Sequence, residues 1–183
     1  MRARGWKRLV GVDIGARAIQ QAKDCLHIEA YCGSLEEAQL QSNSFDAVSL
    51  SHTLEHVPDA IEFLREVYRV TKPSGRVAVI VPNIGSRAAR KFGADWFHLD
   101  SPRHTVNFNQ RSLRMALERA GFQVETLKTN PRMAYHTTLY SMVRKGGGDR
   151  RVYTDAGHRF PLDQRARALT LSLIERAQCA VGL

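Results

Sequence analysis

Three places in this 183-residue chain carry side chains able to do chemistry. His52-Thr53-Leu54-Glu55-His56 sets two imidazoles and a carboxylate within five residues. The run matches H-x-x-E-H, which binds zinc when both histidines lie one turn apart on a helix and a further ligand completes the set. Val57-Pro58 follows at once, and a residue before proline is pushed out of helical geometry, so the run reads as a loop and no metal is expected. His104, in Pro102-Arg103-His104, is the first candidate for a general base or a substrate contact, because imidazole titrates where it can take a proton from a hydroxyl. The alternative is a loop histidine that only bonds backbone. Trp96, Phe97 and Phe108 either wall an acceptor pocket around it or pack beneath the loop. The third place is Asp13, which ends an apolar run and precedes a helical pattern, where an acid is favoured by the helix dipole alone.

The elements that must hold these groups alternate. Apolar runs predict strands at 8–12, 27–31, 45–50, 76–81 and 122–127. Helical spacing predicts helices over Ala16 to Asp24, Pro58 to Val70 and Gln110 to Ala120, the last stopped by Gly121. Lys72-Pro73-Ser74-Gly75 reads as the stop between the second helix and the Arg76 to Val81 strand. Tyr140 to Arg144 suits a helix as well as a strand. After Gly146-Gly147-Gly148, the segment Arg165 to Val181 gathers Leu169, Leu173, Ile174, Ala177 and Val181 on one face, an amphipathic helix expected to dock on its own domain. Regular alternation with near-continuous apolar strands argues for an α/β fold with a mostly parallel sheet and helices on both faces. Ligands bind such sheets at the carboxyl ends of the strands. That points to Asp13, Gly33-Ser34, Ser51-His52 and Pro82-Asn83, with the 45–50 and 76–81 strands expected as neighbours.

Composition narrows the classes. Residues 1–83 balance ten Lys+Arg against ten Asp+Glu, so the net charge of +9 lies wholly in the second half. Arginine outnumbers lysine 21 to 6 and is dispersed without an interleaved aromatic pattern, so no dedicated nucleic-acid binding is expected. Cys25, Cys32 and Cys179 form no CxxC pair and no secreted framework, which favours a reducing cytoplasm. The longest apolar stretch, Val77 to Pro82, is far short of the ~20 residues that span a bilayer.

Three blocks then carry a resemblance: GVDIGARAIQQAK (Gly11 to Lys23), FDAVSLSHTLEHVPDAIEFLREVYRVTKPSGRVAVIVPN (Phe45 to Asn83) and DSPRHTVNFNQRSLRMALERAGF (Asp100 to Phe122). In this order, over about Leu9 to Leu127, they resemble class I S-adenosylmethionine-dependent methyltransferases of the bacterial small-molecule branch. The resemblance implies a Rossmann-like domain, S-adenosyl-L-methionine as cofactor and a small-molecule methyl acceptor. It implies that Asp13, with Ile14 beside it, accepts hydrogen bonds from the ribose hydroxyls, a task suited to a carboxylate facing a cis-diol. It implies that Gly33, Ser34 and Leu35 lie near the adenine. Ser51 to His56 would line the methyl donor and acceptor, which puts His52 and His56 beside His104 as catalytic candidates. The family's G-x-G-x-G loop and the strand before it have no counterpart before Asp13. The expectation is therefore a partial domain over 1–130, truncated before the family's second strand, with a helical appendage over 131–183. Cofactor binding would be compromised, or the chain would be a non-catalytic fragment, and the unfilled sheet position could support self-association. An anion-binding module is the remaining alternative, resting on the basic second half alone.

Overall fold

The computed structural model describes residues 5–129 and 134–145. The chain runs β1 (Val10–Asp13), α1 (Ala16–Leu26), β2 (Glu29–Cys32), β3 (Phe45–Ser51), α2 (Ala60–Val70), β4 (Thr71–Ile80), α3 (Arg87–Phe92), a 3-10 turn (Gly93–Asp95), α4 (Gln110–Arg119) and α5 (Ala134–Lys145). It divides into two units: residues up to 49 together with 62–78, and residues 50–61 together with the described residues from 79 onward.

In the first unit β1 and β2 pair in parallel, from Val10 opposite Glu29 to Asp13 opposite Cys32. Parallel neighbours need a crossover, and α1 supplies it. Asp13 Oδ1 accepts the Gly15 N–H at 2.7 Å, turning the chain from strand into helix. α1 buries Ile19 and ends at His27, which takes the left-handed conformation at φ 50°. β3 pairs with β4. The bonds from Ser44 N–H to Val70 C=O and from His52 N–H to Ile80 C=O advance together along the chain, the parallel sense. Gly75 lies against this pairing: a Cβ there would stand 2.6 Å from Thr71 Cγ2 and 3.0 Å from the Phe45 carbonyl oxygen, a space only glycine fits. α2 sinks Leu64, Val67 and Val70 into the core. Arg69 at its end donates to Glu66, to the Leu40 carbonyl at 2.7 Å and to Ser42 Oγ at 2.8 Å, fastening the loop before β3.

The strands therefore appear where the apolar runs placed them, with two corrections. β4 starts at Thr71, five residues before the expected strand. Thr71 Oγ1 donates to the Val67 carbonyl at 2.6 Å and closes the helix on its last residue, so the expected stop at 72–75 is extended backbone instead. The expected strand at 122–127 is absent. Its alternation of half-buried and exposed residues is present, but Phe122 N–H is already spent on the Leu117 carbonyl at the end of α4. The α/β class and the parallel pairing hold. Among the described residues the strands pair as β1 with β2 and β3 with β4.

In the second unit, Ala88, Ala89, Phe92 and Trp96 form a buried cluster, with Leu99 and Met142 packed against it. α5 binds this cluster through polar contacts as well. Phe97 N–H donates to Ser141 Oγ at 3.0 Å, and the Arg144 guanidinium donates to the Trp96 carbonyl at 2.8 Å. Tyr140 to Arg144 is thus helix, not strand. Asn109 and Ser112 form a reciprocal capping box at the start of α4, which buries Leu113 and Ala116. Gly146 to Gly148 and Arg165 to Val181 lie outside the described residues.

Leu113 and Met115 sit on one helix, the first buried and the second 42% exposed. Leu113→Ala should lower the unfolding free energy by about 2–4 kcal/mol. Met115→Ala should cost less than about 1 kcal/mol. Urea unfolding of the two variants checks this, and equal losses would contradict the assigned face.

Candidate active site

Of the residues singled out for a cofactor, Asp13, Ile14, Gly33, Ser34 and Leu35 lie in the first unit at the carboxyl ends of β1 and β2, and Ser51 lies in the second at the end of β3. Asp13 is exposed, and Ile14 beside it is 84% exposed, an unusual position for an isoleucine. Gly33 N–H donates to the Asp13 carbonyl at 3.0 Å, so the turn after β2 runs directly beside Asp13. Gly33 has φ 137°, and a Cβ there would stand 2.7 Å from Glu37 Oε2. That carboxylate accepts the Ser34 N–H at 2.7 Å, while Glu37 N–H donates to Ser34 Oγ at 3.1 Å. Ser34 therefore spends its hydroxyl on shaping the turn. Leu35 follows half-buried. An exposed carboxylate, an exposed aliphatic side chain and a tight glycine turn together offer a diol acceptor and an apolar face, the donor set a nucleoside fits.

The catalytic candidates lie in the second unit, beyond Ser51 at the end of β3. His52 takes φ 54°, a left-handed conformation costly for a residue with a Cβ and concentrated at functional sites. Its N–H is fixed by the Ile80 carbonyl at 2.9 Å. Residues 53–58 are turn and bend, not helix, as Val57-Pro58 implied. His52 Nδ1 lies 3.0 Å from Glu55 Oε1. The Glu55 side chain is 2% exposed and that of His52 47%. A buried carboxylate behind an exposed imidazole holds the Nδ1–H tautomer and leaves Nε2 facing outward with its lone pair, the arrangement of a general base.

A second loop, residues 98–106, is sewn to this one. Thr105 N–H donates to the Glu55 carbonyl at 2.9 Å, and its single hydroxyl proton is shared between the Val57 carbonyl at 2.8 Å and the Glu55 carbonyl at 3.2 Å. His56 Nδ1 donates to the Arg103 carbonyl at 2.9 Å. His104 Nδ1 donates to the His98 carbonyl at 2.7 Å. The His56 and His104 rings meet edge to face with centroids 4.7 Å apart. The structure thus brings His52, His56 and His104 into one loop pair. His104 bonds backbone, as the loop-histidine alternative had it, and its ring lies against that of His56. Trp96 and Phe108 are buried packing residues, while Phe97 is half-buried between His98 and Tyr140.

Sequence reasoning missed two members. Glu55 was in view inside the H-x-x-E-H run, but only as part of a zinc pattern. His98 stands between Phe97 and Leu99 with no motif around it. Its ring stacks near His52 at 6.1 Å and meets the edge of Trp96 at 5.4 Å. Burial, then the neighbouring His52 and His104, push its pKa down to about 4. A depressed histidine pKa means that the unfolded chain binds more protons, so stability is retained above the ordinary value of 6.5 and lost as pH falls towards about 4. Unfolding free energy measured across that window should drop on acidification, and His98→Gln should flatten the drop; an unchanged slope would contradict the buried neutral ring.

Residues 1–79 match the family described as "Methyltransferase domain". A demethylmenaquinone methyltransferase of Listeria welshimeri is 39% identical over 74 residues, 39% of this chain and 31% of that protein. A probable S-adenosylmethionine-dependent methyltransferase of Mycolicibacterium smegmatis is 31% identical over 120 residues, 65% of this chain and 45% of that protein. The chain thus spans less than half the length of these relatives. Among solved structures, an S-adenosylmethionine-dependent methyltransferase from Mesorhizobium loti superposes with a TM-score of 0.55 at 19% identity, covering 72% of this chain and 73% of that one. At that identity the likeness shows the fold. Residues 1–79 thus match the methyltransferase-domain family, and the described chain shares its fold with S-adenosylmethionine-dependent methyltransferases.

Proposed function

We propose that this chain binds S-adenosylmethionine and takes part in methyl transfer to a small-molecule acceptor. When bound, the cofactor supplies an activated sulfonium methyl, open to in-line displacement. What the protein adds is position and exclusion of water. In this reading Asp13 accepts the ribose hydroxyls, Ile14 and Leu35 lie against the adenine, and the Gly33–Ser34 turn leaves room for it. Ser51 and the loop after it line the methionine end and the acceptor. His52 takes the acceptor's proton at Nε2, with Glu55 holding its ring and stabilising the imidazolium that forms. The observation that supports the reading is the His52–Glu55 pair, strained and carboxylate-backed, at the carboxyl end of a strand, where α/β sheets place ligands. The Listeria relatives, named for demethylmenaquinone, make a ring hydroxylic or quinol-like acceptor the first class to assay.

The chain holds no G-x-G-x-G loop, the element that lets backbone approach the methionine part closely. Cofactor binding then rests on Asp13 and its neighbours, and titration calorimetry should give a Kd above about 100 μM. Asp13→Ala should weaken it further by at least about tenfold, a loss of the size a charge-assisted hydrogen-bond pair provides. Low-micromolar binding would contradict the weak-affinity part, while heats unchanged in Asp13→Ala would contradict the ribose assignment.

The chemical role is tested separately, at saturating S-adenosylmethionine, by S-adenosylhomocysteine release with a panel of hydroxylic acceptors. His52→Gln should lower kcat by about a hundredfold while leaving the cofactor's KM unchanged, because it removes proton transfer and not ground-state binding. No turnover with any acceptor, together with measurable cofactor binding, would favour a binding fragment over an enzyme.

A further inference from the structure

We propose that Glu55, His56 and His104 form a divalent transition-metal site of the zinc type, held between the two sewn loops. This goes beyond the methyl-transfer reading and stands independently of it. One carboxylate oxygen of Glu55 and one ring nitrogen each of His56 and His104 lie within 4.8 Å of one another. Ligands about 2.0–2.1 Å from a tetrahedral ion stand about 3.3 Å apart, so small ring rotations close the set.

Three observations argue for a cation here. Each imidazole has its Nδ1 engaged by a backbone carbonyl, of Arg103 and of His98. That is the outer-shell bond which fixes the tautomer of metal-ligating histidines and leaves Nε2 with its lone pair. The Glu55 side chain is 2% exposed, and its Oε2 has no hydrogen-bond partner among the described residues. A buried carboxylate oxygen without a donor is costly, and a cation beside it removes the cost. Finally, Thr105 pins the Glu55 backbone from the second loop, so the carboxylate and His104 are fixed relative to each other before any ion arrives.

The donor set names the ion class. Two imidazoles and one carboxylate suit Zn²⁺, Co²⁺ or Fe²⁺, whereas Mg²⁺ and Ca²⁺ prefer all-oxygen shells. Three protein ligands leave at least one position open, as in catalytic rather than structural sites. The H-x-x-E-H run is thus part of the site in a different way from the protease pattern. His52 is not a ligand; it stays on Glu55 Oε1 as the neighbouring base.

The test uses the full chain, stripped with a chelator and titrated with Co²⁺ and Zn²⁺ in the absence of S-adenosylmethionine. One equivalent of Co²⁺ should bind and show visible d–d absorption without a thiolate charge-transfer band. Zn²⁺ should displace it. The signal should persist in Cys25→Ser/Cys32→Ser/Cys179→Ser, which removes all three thiols of the chain. Glu55→Gln and His104→Ala should each weaken binding at least tenfold. Should either fail to fold by circular dichroism, His56→Ala, at an exposed position, carries the same expectation. Absence of stoichiometric binding, equal affinity in His56→Ala, or loss of the signal with the cysteines would each overturn the site. A methyl-transfer failure with metal binding intact would leave it standing.

Discussion

The Glu55 carboxylate is the constraint on which the second unit's chemistry depends. A carboxylate so deeply buried persists as an anion only where hydrogen-bond donors or cations meet it. One oxygen is met by His52, and that bond sets which nitrogen of His52 faces outward. The residue's backbone carbonyl is met by Thr105, and that bond holds the loop after β3 to the loop of residues 98–106. The left-handed backbone of His52, fixed by the Ile80 carbonyl, then aims the pair away from the strand. Strain at one residue, burial at another and a threonine bridge from far along the chain make one arrangement.

The first unit shows the complementary strategy. Among its described residues none is both deeply buried and charged. Asp13 stays exposed with one oxygen tied to Gly15, and Gly33 has no side chain because Glu37 occupies that space. Such a turn presents backbone and carboxylate to a ligand with little reorganisation, which suits cofactor recognition better than proton transfer.

Much of the fold was legible because its signals are local. Periodicity in AIEFLREVYRV shows which face of α2 is buried, and VGVD and FDAVSLS carry their strand character in their own residues. What was not legible depends on partners distant in sequence. The 122–127 segment has strand-like alternation, but a strand exists only where a neighbour completes its ladder. The start of β4 was hidden because Pro73 and Gly75 look like a turn, until Phe45 is seen to need the space at Gly75. In the candidate site, Asp13, Gly33, Ser51 and the three histidines rest on strand ends and resemblance. Glu55's burial and His98's position between aromatic rings come from tertiary packing, which no spacing rule reveals.

The central claim is that backbone and carboxylate partners lock His52, His56 and His104 with Nδ1 protonated, so that all three turn an Nε2 lone pair to their surroundings. Long-range proton–nitrogen NMR correlation of the imidazole rings reads this directly, at about pH 8, where ordinary histidines are neutral. The account predicts Nδ1–H tautomers for all three, with Nε2 at the shift of an unprotonated nitrogen. Nε2–H tautomers at His52 and at either of the other two would contradict it.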